Sequence, residues 1–318
     1  MKKEIRPLTI LFLFLTSSLI SCIKQPCHSG EYILFRSARA STFRPNPLQI
    51  VKINGSSETE CSYPKIKGDN PDWSPDGNWI AYDTSRVDQP NRSQIFIMNS
   101  RNSKELQITD VDGGSLSPSW SPDGKSILYR GNGIQSLAIT CIINNEECTS
   151  VPLNVTEYLL SPDLSPDGQL LVGEQYSLEE DRSFDIVVIN IKNPNQKYDI
   201  TPKDTKGCLH PTWSPDGRQI LANCLTENSH DIYVIDLDTY KAENITRSPG
   251  VIESNPDWSP DGEKIAFVSD TGDGLGECLD PECSVVSRGL FVMNRDGSNI
   301  TRLTFRNDES ILWLSWIP

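Results

Sequence analysis

Short apolar runs recur along this chain, each entered through a tight polar turn, a pattern that predicts many short strands. The turn is nearly the same every time. Asn70-Pro71-Asp72-Trp73-Ser74-Pro75-Asp76-Gly77 returns at 117–124, 161–168, 210–217 and 255–262, at intervals of about 45 residues. Within it, Ser opens the turn, Pro presets φ, Asp suits the third position and Gly accepts a left-handed backbone. An apolar strand follows each copy, as in Trp79-Ile80-Ala81-Tyr82 and Ile265-Ala266-Phe267-Val268. A third strand comes next, such as Ile95-Phe96-Ile97-Met98-Asn99 or Ile232-Tyr233-Val234-Ile235-Asp236. A fourth ends in an aliphatic residue and Thr, at Ile108-Thr109, Val155-Thr156, Ile200-Thr201, Ile245-Thr246 and Leu303-Thr304.

Four strands per period is the signature of a propeller blade. The two ends of the chain supply a further blade. Gly30-Glu31-Tyr32-Ile33-Leu34-Phe35 matches Gly77-Asn78-Trp79-Ile80-Ala81-Tyr82, Ile50-Val51-Lys52-Ile53-Asn54 follows as a third strand, and Leu314-Ser315-Trp316-Ile317-Pro318 matches the segment ending at Pro75. The expectation is an all-β fold, a six-bladed propeller of four-stranded blades over residues 30–318, the last strand closing the first blade. Residues 269–288 are expected to form a loop within the last full blade. Trp73, Trp120, Trp213, Trp258 and Trp316, with Leu164 in the same slot, are expected to pack between blades.

Residues 1–21 read as an export signal: Lys2, Lys3 and Arg6 precede the apolar run Leu8 to Leu15, which is too short to span a bilayer. Ser21 before Cys22 resembles a bacterial lipobox, so Cys22 is expected to be lipidated and residues 22–29 to serve as a tether; an ordinary signal peptide cut nearby is the alternative. Export to the cell envelope, at the periplasmic face or the cell surface, follows either way. The formal net charge is −14, and loss of residues 1–21 takes it to about −16, which argues against a nucleic-acid partner. Of nine cysteines, eight remain beside Cys22. Their local spacing suggests the disulfides Cys141 to Cys148, Cys208 to Cys224 and Cys278 to Cys283, leaving Cys27 for Cys61. A zinc site is the weaker reading, because the spacings are not CxxC and His28, His210 and His230 are scattered.

The PxWSPDG unit, with the IAF-like, IYVMN-like and RLT-like strands after it, resembles the propeller repeat of the TolB family over nearly the whole exported chain. The resemblance implies a propeller that binds other proteins, often by receiving a peptide in the central channel. TolB proteins carry an additional N-terminal α/β domain that has no counterpart here, so their particular partners do not transfer with the fold. Similar repeats occur in oligogalacturonate lyases and in peptidases of the prolyl-oligopeptidase type, and fold alone does not fix function.

Neither a GxSxG elbow nor an HExxH motif occurs, and no catalytic or metal-ligating set is assigned. Asp76, Asp123, Asp167, Asp216 and Asp261 are accounted for by turn chemistry. The residue before each repeated large side chain is more informative: Asp72, Ser119, Asp163, Thr212, Asp257 and Ser315 alternate acid with hydroxyl. If these residues reach the channel, three carboxylates face the axis and attract calcium or a basic peptide; otherwise each caps its own strand or turn. The acidic loop from Asp270 to Gly274 misses the EF-hand spacing and reads as a solvated turn. No cofactor beyond that calcium is expected. The leading function is a non-catalytic, monomeric, lipid-anchored scaffold that binds an envelope or extracellular protein or peptide. The alternative is a glycan-binding or lyase-like propeller.

Overall fold

The computed structural model of the chain describes residues 31–39, 49–54, 66, 68–86, 89–131, 137–141, 150–152, 159–178, 181–270, 288–304 and 309–318. Every regular element among them is a strand. The chain opens with β1 (Tyr32–Arg39) and β2 (Gln49–Lys52). Four-stranded blades follow in order. The first comprises β3 (Asp69–Trp73), β4 (Trp79–Arg86), β5 (Gln89–Asn99) and β6 (Glu105–Gln107). The second has β7 (Ser115–Trp120), β8 (Ser126–Gly131), β9 (Leu137–Cys141) and β10 (Ser150–Pro152). The third has β11 (Leu160–Leu164), β12 (Leu170–Tyr176), β13 (Phe184–Asn190) and β14 (Lys197–Asp199). The fourth has β15 (Cys208–Trp213), β16 (Gln219–Leu225), β17 (His230–Asp236) and β18 (Lys241–Asn244), and the fifth β19 (Glu253–Trp258), β20 (Lys264–Ser269), β21 (Gly289–Asn294) and β22 (Thr301–Arg302). The last strand, β23 (Glu309–Trp316), pairs antiparallel with β1, Ile33 opposite Trp316.

The expectation of six four-stranded blades is therefore corrected: among the described residues there are five four-stranded blades, and the sheet built from the two ends of the chain has three strands in the order β2-β1-β23. A physical reason lies in the pin that holds an outermost strand. In the first, third, fourth and fifth blades a Thr hydroxyl accepts the N–H of a residue in the third strand: Thr109 from Ile95 (2.8 Å), Thr201 from Ile186 (2.8 Å), Thr246 from Ile232 (3.0 Å) and Thr304 from Leu290 (2.9 Å). The equivalent stretch after β2, residues 55–65, lies outside the described residues.

The turns explain why the strands begin where they do. In each blade Ser accepts the N–H five residues on and donates to Asp, as in Ser74 to Asp76 (2.6 Å) and Trp79 to Ser74 (2.9 Å). The same Asp accepts a second backbone N–H, from Asn78 at 3.0 Å, and Gly77 takes φ 67°. Ser121, Ser165, Ser214 and Ser259 repeat the arrangement with Asp123, Asp167, Asp216 and Asp261. Those four carboxyls are held below the usual carboxylate range, the serine hydroxyl being the largest cause.

Apolar side chains meet between blades, not within one. Trp213 and Ile220 of the fourth blade pack on Val172, Ile186 and Val188 of the third, and Ile33, Phe35 and Trp316 pack on Ala266, Val268 and Leu290 of the fifth. Tyr32 and Leu34 in turn join Trp73, Ile80 and Tyr82 of the first blade. The repeated tryptophans are 3–6% exposed, and Leu164, at 6%, fills the equivalent seam between the second and third blades. The inner strands β3, β7, β11, β15, β19 and β23 touch in that order and β23 returns to β3, so they ring one axis. Pro318 lies beside Gly77 as Pro75 lies beside Gly124, extending the turn-to-turn packing across the join.

Of the expected disulfides, Cys208 to Cys224 is present, its cysteines facing each other across β15 and β16 with Cα atoms 4.0 Å apart. Cys27, Cys61, Cys148, Cys278 and Cys283 lie outside the described residues, as do Cys22 and the export signal; for Cys141 only the backbone, at the end of β9, is described.

Candidate functional site

Each inner strand of the five blades carries a register shift at the residue before its proline. Asn70, Ser117, Ser161, His210 and Asn255 there take φ between 43° and 52°, a left-handed backbone that is uncommon for residues with a side chain and further restricted before proline. Three successive residues of every inner strand, the bulge residue among them, line the axis there. Together they enclose a cavity of about 180 Å³. Its lining includes all six residues singled out from the sequence, Asp72, Ser119, Asp163, Thr212, Asp257 and Ser315, and no Lys or Arg.

The alternation of acid and hydroxyl has a structural cause. Asp72 of the first blade accepts the N–H of Trp120 in the second (2.6 Å), Asp163 of the third that of Trp213 in the fourth (2.9 Å), and Asp257 of the fifth that of Trp316 in β23 (3.1 Å). Each acid thus straps its blade to the next, and the hydroxyl residues sit on the strands that receive the strap. The indoles of Trp213 and Trp316 donate back to the carbonyls of Asp163 and Asp257. Ser119 and Thr212 also donate to Asp163, at 3.2 and 3.4 Å. The expected cap on each acid's own strand, from the backbone of Trp73, Leu164 and Trp258, is joined by a cap across the seam, some 50 residues away in the chain.

These residues are half-buried by exposed area, yet their carboxyls are enclosed by the surrounding strands, and that desolvation dominates their titration. Burial pushes Asp72 up to about 8; the Trp120 N–H opposes this, while the charges of Asp163 and Asp257 add to it. Asp257 is pushed up to about 7 by burial against the Trp316 N–H, and Asp163 is raised for the same leading reason. Among the described residues no three His, Cys, Asp or Glu form a group that could hold a metal ion, because the three acids stand on alternate blades and turn to the neighbouring strand.

A second belt lies behind the bulges. Asp83 accepts from the Asn70 side chain (2.6 Å) and from the N–H of Ser117 in the next blade (3.0 Å). Glu174 does the same for the Ser161 hydroxyl (2.9 Å) and the His210 N–H (3.0 Å). Both are buried at the fifth position of the second strand, where an apolar run gives way to a charge. That interruption is the signal the sequence carries for this belt. Asp270 accepts the Ile252 N–H at 2.7 Å; the rest of its loop lies outside the described residues.

At the cavity mouth, residue types also depart from the repeat. Trp313 occupies the position held by the pre-proline residue in the blades, followed by Leu314 in place of proline. Its ring meets that of His210 at 5.7 Å and 78°. The fourth blade and β23 are not neighbours, so this pair reaches past Asn255 of the fifth blade. His210 is fixed in turn by Nδ1 against Asn223 Oδ1, at 2.9 Å.

Fold and site together define a repeat propeller with a polar, acid-lined axial cavity. The family model for the TolB beta propeller domain matches residues 148–312, more than half of the chain, and the chain belongs to that family. The crystal structure of TolB from Acinetobacter baumannii superposes with a TM-score of 0.70 at 20% identity, covering 91% of this chain and 67% of that one. A putative TolB from Agrobacterium tumefaciens gives 0.58 at 19% identity, covering 90% and 98%. Among curated relatives, the Tol-Pal system protein TolB of Francisella tularensis subsp. mediasiatica is 30% identical over 91 residues, 29% of this chain and 20% of the relative. Dipeptidyl-peptidase 5 of Porphyromonas gingivalis is 28% identical over 132 residues, 39% of this chain and 18% of the relative. The matched stretches therefore span about a fifth of each curated relative's length.

Proposed function

We propose that this chain is a non-catalytic cell-envelope lipoprotein whose propeller docks a protein or peptide at the axial cavity. The observation that carries this reading is the cavity: each inner strand contributes side chains to it, three of them carboxylic, with no Lys or Arg in the lining. A pocket of about 180 Å³ has room for roughly six waters. That is the scale of one side chain or chain terminus, so a partner inserts a tip and rests its remaining surface on the propeller rim. Membership of the TolB propeller family supports a binding role, and the negative charge of −14 supports a partner with basic surface. Residues 1–21 serve as the export signal and Cys22 as the lipid attachment point in this reading.

Cross-linking the full chain on its native membrane, followed by identification of the captured species, tests the role. A single protein captured by the native chain and lost on blocking the cavity supports it; retention on a polysaccharide column with no protein captured would replace it by the glycan reading. Incorporation of radiolabelled fatty acid that disappears in Cys22→Ala tests the anchor, and incorporation that persists would refute it.

A further inference from the structure

Trp313 is the one residue of the cavity mouth that breaks the pattern of small polar side chains before proline in a way that adds a large apolar surface. It is half-buried, belongs to none of the apolar clusters between blades, and lines the cavity. The packing of the fold therefore does not account for an indole here. Across the mouth, His210 is tethered to Asn223 and stands at 78° to the indole, so the ring has a fixed neighbour and the ring pair forms one wall above an acidic floor.

We infer that the Trp313 and His210 wall and the acid-lined cavity beneath it form a subsite for a single arginine side chain presented by a peptide. This rests on the peptide-docking reading and names what that site selects. A guanidinium is planar and stacks on an indole face, which a lysine ammonium does less well, and its five N–H donors spread in a fork. Asp72 of the first blade and Asp257 of the fifth line the same cavity as Trp313, and a fork of donors offers hydrogen bonds in more than one direction. Asp72 and Asp257 each commit an oxygen to the next blade's Trp N–H and keep acceptor capacity for the ligand, whose charge favours the ionised form that burial opposes, whereas Asp163 is already filled by Ser119, Thr212 and Trp213. Among the described residues no Lys or Arg lines the cavity. The nearest arginines of the second belt, Arg36 and Arg130, act on Asp83, and Arg36 is further held by Asp69 and the Gly68 carbonyl.

The test is selection of random displayed peptides on the full exported chain, then affinity measurements on the selected peptides. Arginine should be enriched at one fixed position. Replacing it with citrulline, which keeps shape and removes charge, should weaken binding at least tenfold. Trp313→Leu should weaken the arginine peptide roughly tenfold and the citrulline peptide little, while Trp313→Phe, which keeps a ring, should retain most of the affinity. Circular dichroism of each variant establishes that it is folded. Selected peptides without arginine enrichment, or an arginine peptide indifferent to citrulline or to Trp313→Leu, would overturn the subsite and leave the docking reading standing. Failure to select any peptide, with retention on a glycan, would overturn both.

Discussion

Replacing Asp72 by Asn should change how the stability of this protein depends on pH. The folded carboxyl is pushed up to about 8, against an ordinary 3.8, by burial at the cavity floor. Between those values the folded state holds a proton that the unfolded state has released. Stability therefore falls as pH rises through the window, by about 1.4 kcal/mol per pH unit for one fully coupled proton. Below pH 4 both states are protonated and the group contributes no slope; above pH 8 both are ionised and the loss is complete. Water in the cavity screens the carboxyl, so about 1.4 kcal/mol per unit is an upper figure. The Asn side chain still offers an oxygen to the Trp120 N–H, which keeps the strap between the first two blades. Denaturant unfolding at half-unit steps from pH 5 to pH 7, with native and variant chains compared at each step, isolates this proton from the background of the other acids. The variant should show the shallower decline, by up to about 1.4 kcal/mol per unit, and should be the more stable at pH 7. Parallel pH curves for the two chains would refute the assignment of a deep, proton-holding carboxyl to this position.

Two further outcomes follow from the packing. Trp213→Ala removes a side chain 6% exposed in the seam between the third and fourth blades, and should cost about 3–5 kcal/mol in denaturant unfolding. An unchanged midpoint would mean that this seam does not hold the ring together. Replacing Cys208 and Cys224 together by Ala opens a bridge spanning 16 residues and should cost about 3 kcal/mol. Because both cysteines are fully buried, the native chain should resist a reductant until it unfolds, and rapid reduction of the folded protein would contradict that burial.

Much of the architecture is legible because its causes are local. A turn that needs Ser, Pro, Asp and Gly at consecutive positions must write those letters into the chain, and the pairing of Cys208 with Cys224 follows from their near-symmetrical placement about Pro215 and Asp216. The residues lining the axis were also identifiable, since one repeat position maps to one radius. What escaped the reading depends on contacts between distant segments. The alternation at Asp72, Ser119 and Asp163 was visible as a pattern, but its meaning required knowing that each acid faces the strand of the next blade. The departure at Trp313 from a residue-proline pair was visible too, yet only the closed ring brings it opposite His210.

The sequence by itself determined the repeat, the turn chemistry and the tryptophan seams, because each is specified within one period by backbone preference and apolar burial. Tertiary structure alone decided that the carboxylates strap blade to blade and that an indole stands over the axial cavity. Those outcomes turn on which groups meet across a gap of one or more blades. A one-dimensional pattern records what a residue offers to such a meeting but not the partner it finds there.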